Sequence, residues 1–223
     1  YEIMRSGGFD VVIGNPPYVE YPSADVSYAF STKTTNKCGN LYGNCTERGM
    51  EISKNTAMIG FIVPVAVTCS KRMQPVIECM RKYSKGLWFS NYDDRPGKLF
   101  EMIEHLRATI FLISKGEVKS QEVYSTGYRR WYTDGRSMLF QTINYVGTNH
   151  HLGAYTIPKF SFGIECEIDK KLLLCNEQIA NAMSNFGREK VYYRAAGGGY
   201  FLLIKNKKSE TSINGVVENV KAE

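Results

Sequence analysis

The sequence predicts an α/β fold: a partial sheet of buried strands alternating with helices, then a smaller mixed α+β segment. Three observations predict it. Short apolar, β-branched runs recur at Phe9–Gly14 and at residues 57–63, 87–92 and 108–114. Helix-patterned stretches at residues 41–53 and 72–83 stand between the first three runs. Beyond Lys115 the alternation stops, and aromatic and polar residues take over. Strand–helix–strand–helix–strand order argues for a parallel sheet.

Each element has its own warrant. Phe-Asp-Val-Val-Ile-Gly at residues 9–14 reads as a buried strand, and Pro16 and Pro17 end it at a loop. Residues 20–39 are polar and read as a long loop, of the length that usually serves function. Met50 and Ile52 are among the apolar positions of the first helix. Pro64 closes the second strand, and Arg95-Pro96-Gly97 makes a turn after the third. In the second segment, residues 134–145 and 170–183 read as helices and 157–165 as a strand. Residues 191–194 and 200–204 flank a glycine run, 197–199, as in a hairpin. The end from Lys205 reads as a polar tail.

Composition narrows the classes. Of 223 residues, 43% are hydrophobic and 22% charged, and the net charge is +6, which suits a globular protein and permits a polyanionic partner. No apolar run spans a bilayer. The six cysteines show no CxxC spacing, and the three histidines give no metal-site pattern, so reduced thiols in a cytoplasmic setting and no metal are expected. Starting at Tyr1 directly before a strongly apolar strand, the chain reads as part of a longer one.

The chemistry lies in Asn15-Pro16-Pro17-Tyr18, at the carboxyl end of the first strand, where ligands bind in open α/β sheets. Methylating a conjugated exocyclic amine is hard because its lone pair is delocalised into the ring. An Asn side-chain oxygen and a backbone carbonyl can each accept one amine hydrogen and pull the nitrogen toward a pyramidal, nucleophilic geometry. Locked proline φ angles fix the carbonyl direction, and the effect is preorganised electrostatics. Tyr18 offers a flat face to a base taken out of its stack.

Residues 9–19, Phe-Asp-Val-Val-Ile-Gly-Asn-Pro-Pro-Tyr-Val, resemble the catalytic motif of adenine-N6 DNA methyltransferases. They are most similar to the type IIG restriction–modification methylases and their phage-defence relatives. Gly39-Asn40-Leu41-Tyr42 with Glu47-Arg48-Gly49 resembles the family's next helix, and residues 60–64, Gly-Phe-Ile-Val-Pro, its next strand. Lys98-Leu99-Phe100 stands where the family has an aromatic lining the base pocket. Residues 125–128, with Arg130-Trp131 and Arg136, resemble the passage to target recognition, and Ile157-Pro158-Lys159 and Tyr192-Tyr193-Arg194 its start.

The resemblance implies the later strands of a Rossmann-like class I methyltransferase sheet in residues 1–118. A connecting segment in 119–156 and the start of a target-recognition region with a polar tail in 157–223 follow. It implies methyl transfer from S-adenosylmethionine to a flipped adenine of double-stranded DNA. Asn15, Pro16, Pro17 and Tyr18 would be the catalytic loop, and Asn40 and Tyr42 would approach the cofactor or that loop. Arg129, Arg130, Arg136 and Lys159 would meet DNA, with Lys170 and Lys171 as further basic candidates. Alternatives stand beside these roles: Phe100 reads equally as core, Asn40 as a helix cap, the basic residues as solvated surface, and the glycine run as a plain turn. A protein glutamine methyltransferase would share Asn-Pro-Pro-Tyr, because a glutamine amide is also a planar, conjugated amine. Such enzymes end soon after the sheet, whereas about half of this chain continues, aromatic and basic.

Two departures bear on the cofactor. The family's glycine-rich motif lies upstream of the catalytic strand, and Gly7-Gly8 stands too close to Phe9 to serve; the acidic residue for the cofactor ribose is missing too. Asn44 and Cys45 are polar where the family's helix is apolar. The isolated chain is therefore expected to be an inactive fragment that binds S-adenosylmethionine weakly or not at all. Calorimetry checks this, and micromolar affinity would contradict it.

Overall fold

The computed structural model describes residues 2–21, 34–100, 105–117, 121–149, 155–175, 188–196 and 199–206. The chain divides into two compact units, Tyr1–Lys170 and Lys171–Glu223. The first unit holds a short helix α1 (Glu2–Arg5), then β1 (Phe9–Gly14), α2 (Leu41–Ile52), β2 (Ser53–Pro64), α3 (Gln74–Tyr83), β3 (Ser84–Tyr92), β4 (Ala108–Lys115), β5 (Glu122–Arg129) and β6 (Val146–Gly147). Helix α4 (Gly163–Leu173) follows.

The strands form one mixed sheet in the order β1-β2-β4-β3-β5-β6. β1 runs parallel to β2, and β3 parallel to β5. β4 lies antiparallel between β2 and β3, which corrects the expectation of an all-parallel sheet. The physical reason is the link from β3 to β4. A parallel return needs a crossover, usually helical, whereas the described part of residues 93–107 contains turns and no helix. The chain therefore reverses and inserts β4 beside its predecessor.

Alternation along the strands sends one set of side chains to the core. Ile59, Phe61, Val63, Leu87, Phe89, Phe111, Ile113 and Val123 pack there with Tyr42 and Met50 of α2 and with Val76, Ile77 and Met80 of α3. The opposite set includes Val11, Ile13, Met58 and Leu112, all exposed. On that face Gly60 lies opposite Leu112, and a Cβ there would meet Leu112 Cδ2 at 2.9 Å.

β5 was not legible as a strand. Val123 is its one branched aliphatic in the core; Ser125 and Thr126 are buried as well, and both bond Asn91 of β3. Asn91 Nδ2 donates to Thr126 O (2.7 Å) and Ser125 Oγ (3.2 Å), its N–H donates to Thr126 Oγ1 (3.0 Å), and its Oδ1 accepts from Thr109 Oγ1 of β4 (2.9 Å). One fully buried amide thus ties three strands together.

The second segment differs from its expected pattern. Residues 157–165 form no strand. Ile157 enters the main core and donates its N–H to Thr68 O (2.9 Å), and α4 begins at Gly163. Glu165 in the first turn accepts from the Phe162 and Ser161 N–H groups, closing the helix start in the manner of a capping box. The helix expected at 170–183 therefore starts earlier and ends at Leu173, and its residues from 176 on fall outside the described ones. In place of a helix over 134–145 there is a 3-10 helix, Thr133–Met138, followed by turns. The second unit contains the expected hairpin, β7 (Arg188–Ala196) antiparallel to β8 (Gly199–Asn206). The loop expected at 20–39 is described only in part: Thr34–Cys38 is a 3-10 helix.

One buried cation closes the first layer. Lys115, at the end of β4, is 5% exposed. Its Nζ donates to Met50 O (2.7 Å), Ser53 O (2.8 Å) and Ser53 Oγ (3.1 Å). These carbonyls lie at the C-terminus of α2, where backbone acceptors lack intrahelical partners and the helix dipole favours a cation. Burial lowers the Lys115 pKa from its ordinary value. Lys115→Met keeps the stem but orphans buried acceptors, so it should lower stability by roughly 1–3 kcal/mol. Urea unfolding of the two proteins measures the difference.

Candidate functional site

The residues at the carboxyl end of β1 are held from three sides. Asn15 and Pro17 are exposed, Pro16 is buried and Tyr18 is half-buried. The Tyr18 hydroxyl lies 2.9 Å from Ile62 O on β2 and 2.5 Å from Asn15 Oδ1. Its ring packs edge-on against Tyr42, with centroids 6.4 Å apart and planes at 87°. Burial pushes the Tyr18 hydroxyl up to about 12, so it is protonated at neutral pH. It has one hydrogen to give, and Ile62 O and Asn15 Oδ1 compete for it.

The exit of the loop is stapled to the start of α2. Leu41 N donates to Val19 O (2.9 Å), and Glu20 pairs with Asn40 in an isolated bridge. Arg72 ties the same corner, donating to Glu20 Oε1 (2.7 Å) and Gly39 O (3.0 Å). Asn40 is the N-cap of α2, its side chain accepting from Tyr42 N at 3.4 Å. Tyr42 is 1% exposed and bonds Met73 Sδ at 3.0 Å. Gly43 allows Cys38 and Val76 to close over the helix, since a Cβ there would meet Cys38 Sγ at 2.8 Å. Asn44, polar where an apolar residue was expected, donates its amide to Asn36 Oδ1 at 2.8 Å.

Glu47 holds the 3-10 helix before α2. It accepts from the N–H and hydroxyl of both Thr34 and Thr35, at 2.6–3.2 Å. Burial raises its pKa, but these four bonds outweigh burial and lower it overall.

The remaining candidate residues occupy other places. Phe100 is half-buried at the end of the segment after β3, next to Leu99, which packs on Tyr92, Trp131 and Leu139. Arg129 donates to Thr142 O (2.7 Å), Leu139 O (2.9 Å) and Thr142 Oγ1 (2.5 Å). Arg136 donates to Lys98 O (3.2 Å) and Leu99 O (3.0 Å). Both guanidinia thus serve backbone carbonyls of the fold. Lys159 lies with Nζ 5.7 Å from the Tyr128 ring centroid, and burial lowers its pKa. Lys170 pairs with Glu167 at 2.6 Å on α4, and Lys171 follows it on that helix.

Arg130 belongs to a cluster that sequence spacing did not reveal. Asp93, 4% exposed just after β3, takes Arg107 Nε on Oδ1 (2.8 Å) and Arg130 Nε on Oδ2 (2.6 Å). The three residues come from the ends of different strands, so only the sheet brings them together. The β3–β5 pairing continues past the strands: Asp93 N donates to Arg129 O (3.0 Å) and Gly97 N to Trp131 O (2.8 Å). Gly97 is required there, because a Cβ would lie 2.7 Å from the Trp131 carbonyl oxygen. Asp93, Asp94, Arg95, Pro96, His105, Arg107, Arg130 and Tyr132 line a cleft of about 770 Å³.

Among the described residues no group of His, Cys, Asp and Glu could hold a metal ion, and no helix is long and apolar enough to cross a membrane. No disulfide joins any of the six cysteines, all of which lie among the described residues.

The family model described as Eco57I restriction-modification methylase matches residues 1–89, which contain the loop at Asn15 and both helices behind it. No curated protein matches the sequence. The chain is similar in fold to DrdV, solved as a cryoEM complex with DNA, at 13% identity and a TM-score of 0.51. It is equally similar to a nuclease-deletion mutant of the Type ISP restriction-modification enzyme LlaGI in complex with a DNA substrate mimic, at 15% identity and a TM-score of 0.50. Each likeness covers 66% of this chain and 18% of the other, so the chain spans under a fifth of these proteins. At such identities the likeness shows the fold: a mixed α/β sheet with its helices.

The Asp93 cluster has a readable acid response. Burial raises the Asp93 pKa, but the bonds from Arg130 and Arg107 overcome burial and hold the carboxyl at about 2, against the ordinary 3.8. A depressed carboxyl pKa stabilises the fold fully above the unfolded value and loses that contribution as pH falls through the folded one. The wild type should therefore lose stability more steeply than Asp93→Asn between pH near 4 and pH near 2. Chemical unfolding of both proteins across that window tests it, and parallel curves would contradict it.

Proposed function

We propose that this chain carries the amine-binding loop of a DNA adenine-N6 methyltransferase of a restriction–modification system. The observation that carries the reading is the loop itself: Asn15 exposed, Pro16 buried, and Tyr18 pinned to β2, at the carboxyl end of β1. The match of residues 1–89 to a restriction-modification methylase family supports it, as does a fold shared with two proteins solved with DNA or a DNA substrate mimic.

The chemistry assigned to these residues is amine activation. Asn15 Oδ1 and the Pro16 carbonyl would accept the two hydrogens of the adenine amine and concentrate its lone pair on nitrogen. Asn15 Oδ1 now faces the Tyr18 hydroxyl, and Ile62 O offers that hydroxyl a second acceptor. The incoming amine can therefore take Asn15 Oδ1 while the Tyr18 hydrogen stays bonded to β2, and no buried donor is orphaned. Tyr18 would stack on the base, and base–aromatic stacking of about 1–3 kcal/mol offsets part of the cost of flipping.

The proposed methyl donor is S-adenosylmethionine, whose sulfonium supplies an electrophilic methyl group. Asn40 and Tyr42 are used inside the fold, as a helix cap and a buried support. The part assigned to this chain is therefore the amine side. A protein glutamine amide would meet the same loop, but the arginine-lined cleft at the ends of β3 and β5 favours a polyanionic substrate.

Asn15→Ala in the full-length protein should reduce adenine methylation by about 10²–10³-fold or more, the usual loss for one preorganised polar partner. Duplex DNA binding should remain. Methylation at the wild-type rate would sink the assignment.

A further inference from the structure

The Asp93 cluster is built differently from an ordinary surface ion pair. Its carboxylate is almost fully buried, while the two arginine side chains are 51% and 68% exposed. Each guanidinium spends only its Nε on Asp93, one per carboxylate oxygen. A guanidinium has five N–H donors in a rigid fork. The four N–H donors on the two Nη atoms of each arginine make no hydrogen bond to the described residues. Asp93 thus acts as a buried post that orients two forks and leaves their outer edges open.

The surroundings keep the forks in place. Arg107 Cζ lies 5.3 Å from the Tyr128 ring centroid, and Asp94 Oδ1 is 3.6 Å from Arg107 Nε. Arg95 adds a third guanidinium on the cis Arg95–Pro96 turn, its Nη2 3.2 Å from His105 Nδ1. Across the cleft three arginines face two aspartates, so one positive charge remains without counting His105. Tyr132, 74% exposed, gives the rim an aromatic face. Two oriented forks beside an exposed ring suit tetrahedral oxyanions spaced along a strand, because guanidinium forks match phosphate geometry.

We infer that Arg107 and Arg130, oriented by Asp93, form a two-point clamp for the phosphate backbone of DNA at the ends of β3 and β5. This rests on the DNA reading above and extends it to Arg107 and Asp93, which no motif singled out. The contact is backbone-positioning and carries no sequence information. Asp93 is a positioning residue, and the arginines are the binding residues.

The test measures binding of the full-length protein to a fluorescently labelled duplex of mixed sequence over a range of salt concentrations. Each phosphate contact contributes a slope of about −0.9 in log K against log salt for duplex DNA. Arg107→Gln and Arg130→Gln should each flatten the slope by about 1, and the double variant by about 2. The loss should be the same on unrelated sequences. A double variant that melts normally yet keeps the wild-type slope overturns the clamp. If the glutamine variants fail to fold, Arg107→Lys with Arg130→Lys decides the matter. Lysine keeps the charge but has no fork, so affinity at fixed salt should fall about tenfold or more while the slope changes little, and wild-type affinity overturns the clamp. The outcomes separate from those of the amine-binding loop. Asn15→Ala that still methylates, with the slope changes intact, overturns the loop assignment alone. A wild type that binds no duplex overturns both.

Discussion

The single hydrogen of the Tyr18 hydroxyl is the constraint on which the candidate site depends. Tyr18 links β1's loop to the β2 backbone at Ile62 and faces the Asn15 amide at the same time. Its ring stands on Tyr42, which is buried and itself bonded to Met73. The loop is therefore positioned by layers: α2 and the turn before α3 support Tyr42, Tyr42 supports Tyr18, and Tyr18 orients Asn15. The staple of Leu41 onto Val19 closes the circuit from the other end. A loop so fixed has little entropy left to lose when a ligand arrives, which is the physical content of preorganisation.

The other end of the sheet is organised by buried polar groups rather than by aliphatic packing. Asn91 satisfies its whole amide within β3, β4 and β5. Two residues later the chain leaves β3 at Asp93, and the fixed register delivers Arg107 and Arg130 to the same carboxylate. An apolar residue at 91 would pack, but it would take the acceptor from the buried Thr109 hydroxyl and the side-chain donor from Ser125 Oγ and Thr126 O. The polar network thus specifies which strand ends meet, a role in which buried polar groups are more discriminating than methyl groups.

What was legible in the sequence follows from what each element is made of. β1 through β4, with α2 and α3, carry apolar periodicity, and their positions were readable within a few residues. The Asn15–Tyr18 loop was readable because proline and a preceding β-branched strand are strong local signals. β5 escaped because only Val123 of it is an aliphatic core residue, while its buried Ser125 and Thr126 rest on Asn91, with Ser125 34 residues from it in sequence. The antiparallel direction of β4 escaped because periodicity fixes which face a side chain takes, not which way the strand runs. Residues 157–165 looked strand-like because Ile157 and its neighbours are apolar enough for burial; burial came without a partner strand. Arg129, Arg130 and Arg136 look alike in sequence, yet only Arg130 turns to Asp93 while the other two serve backbone carbonyls. Charge count alone holds no such distinction.

The loop and the arginine pair share one device, and it explains why both sit at strand ends. In each, a group of limited hydrogen-bonding valence is anchored by part of its capacity, and the rest is left aimed outward. Tyr18 has one proton and two acceptors, so Asn15 Oδ1 can change partners without leaving a buried donor bare. Asp93 has two oxygens and takes one Nε on each, so both guanidinia are oriented without being saturated. Arg129 shows the contrast: both of its terminal amines bond Leu139 and Thr142 within the fold. Strand interiors cannot host such groups, because the ladder consumes backbone valence and neighbouring side chains close the space. Strand ends can, since the backbone there still has rigid direction while the side chains meet open volume. Directional anchoring with spare valence is the property that a substrate-holding edge requires, and the carboxyl ends of β1, β3 and β5 supply it.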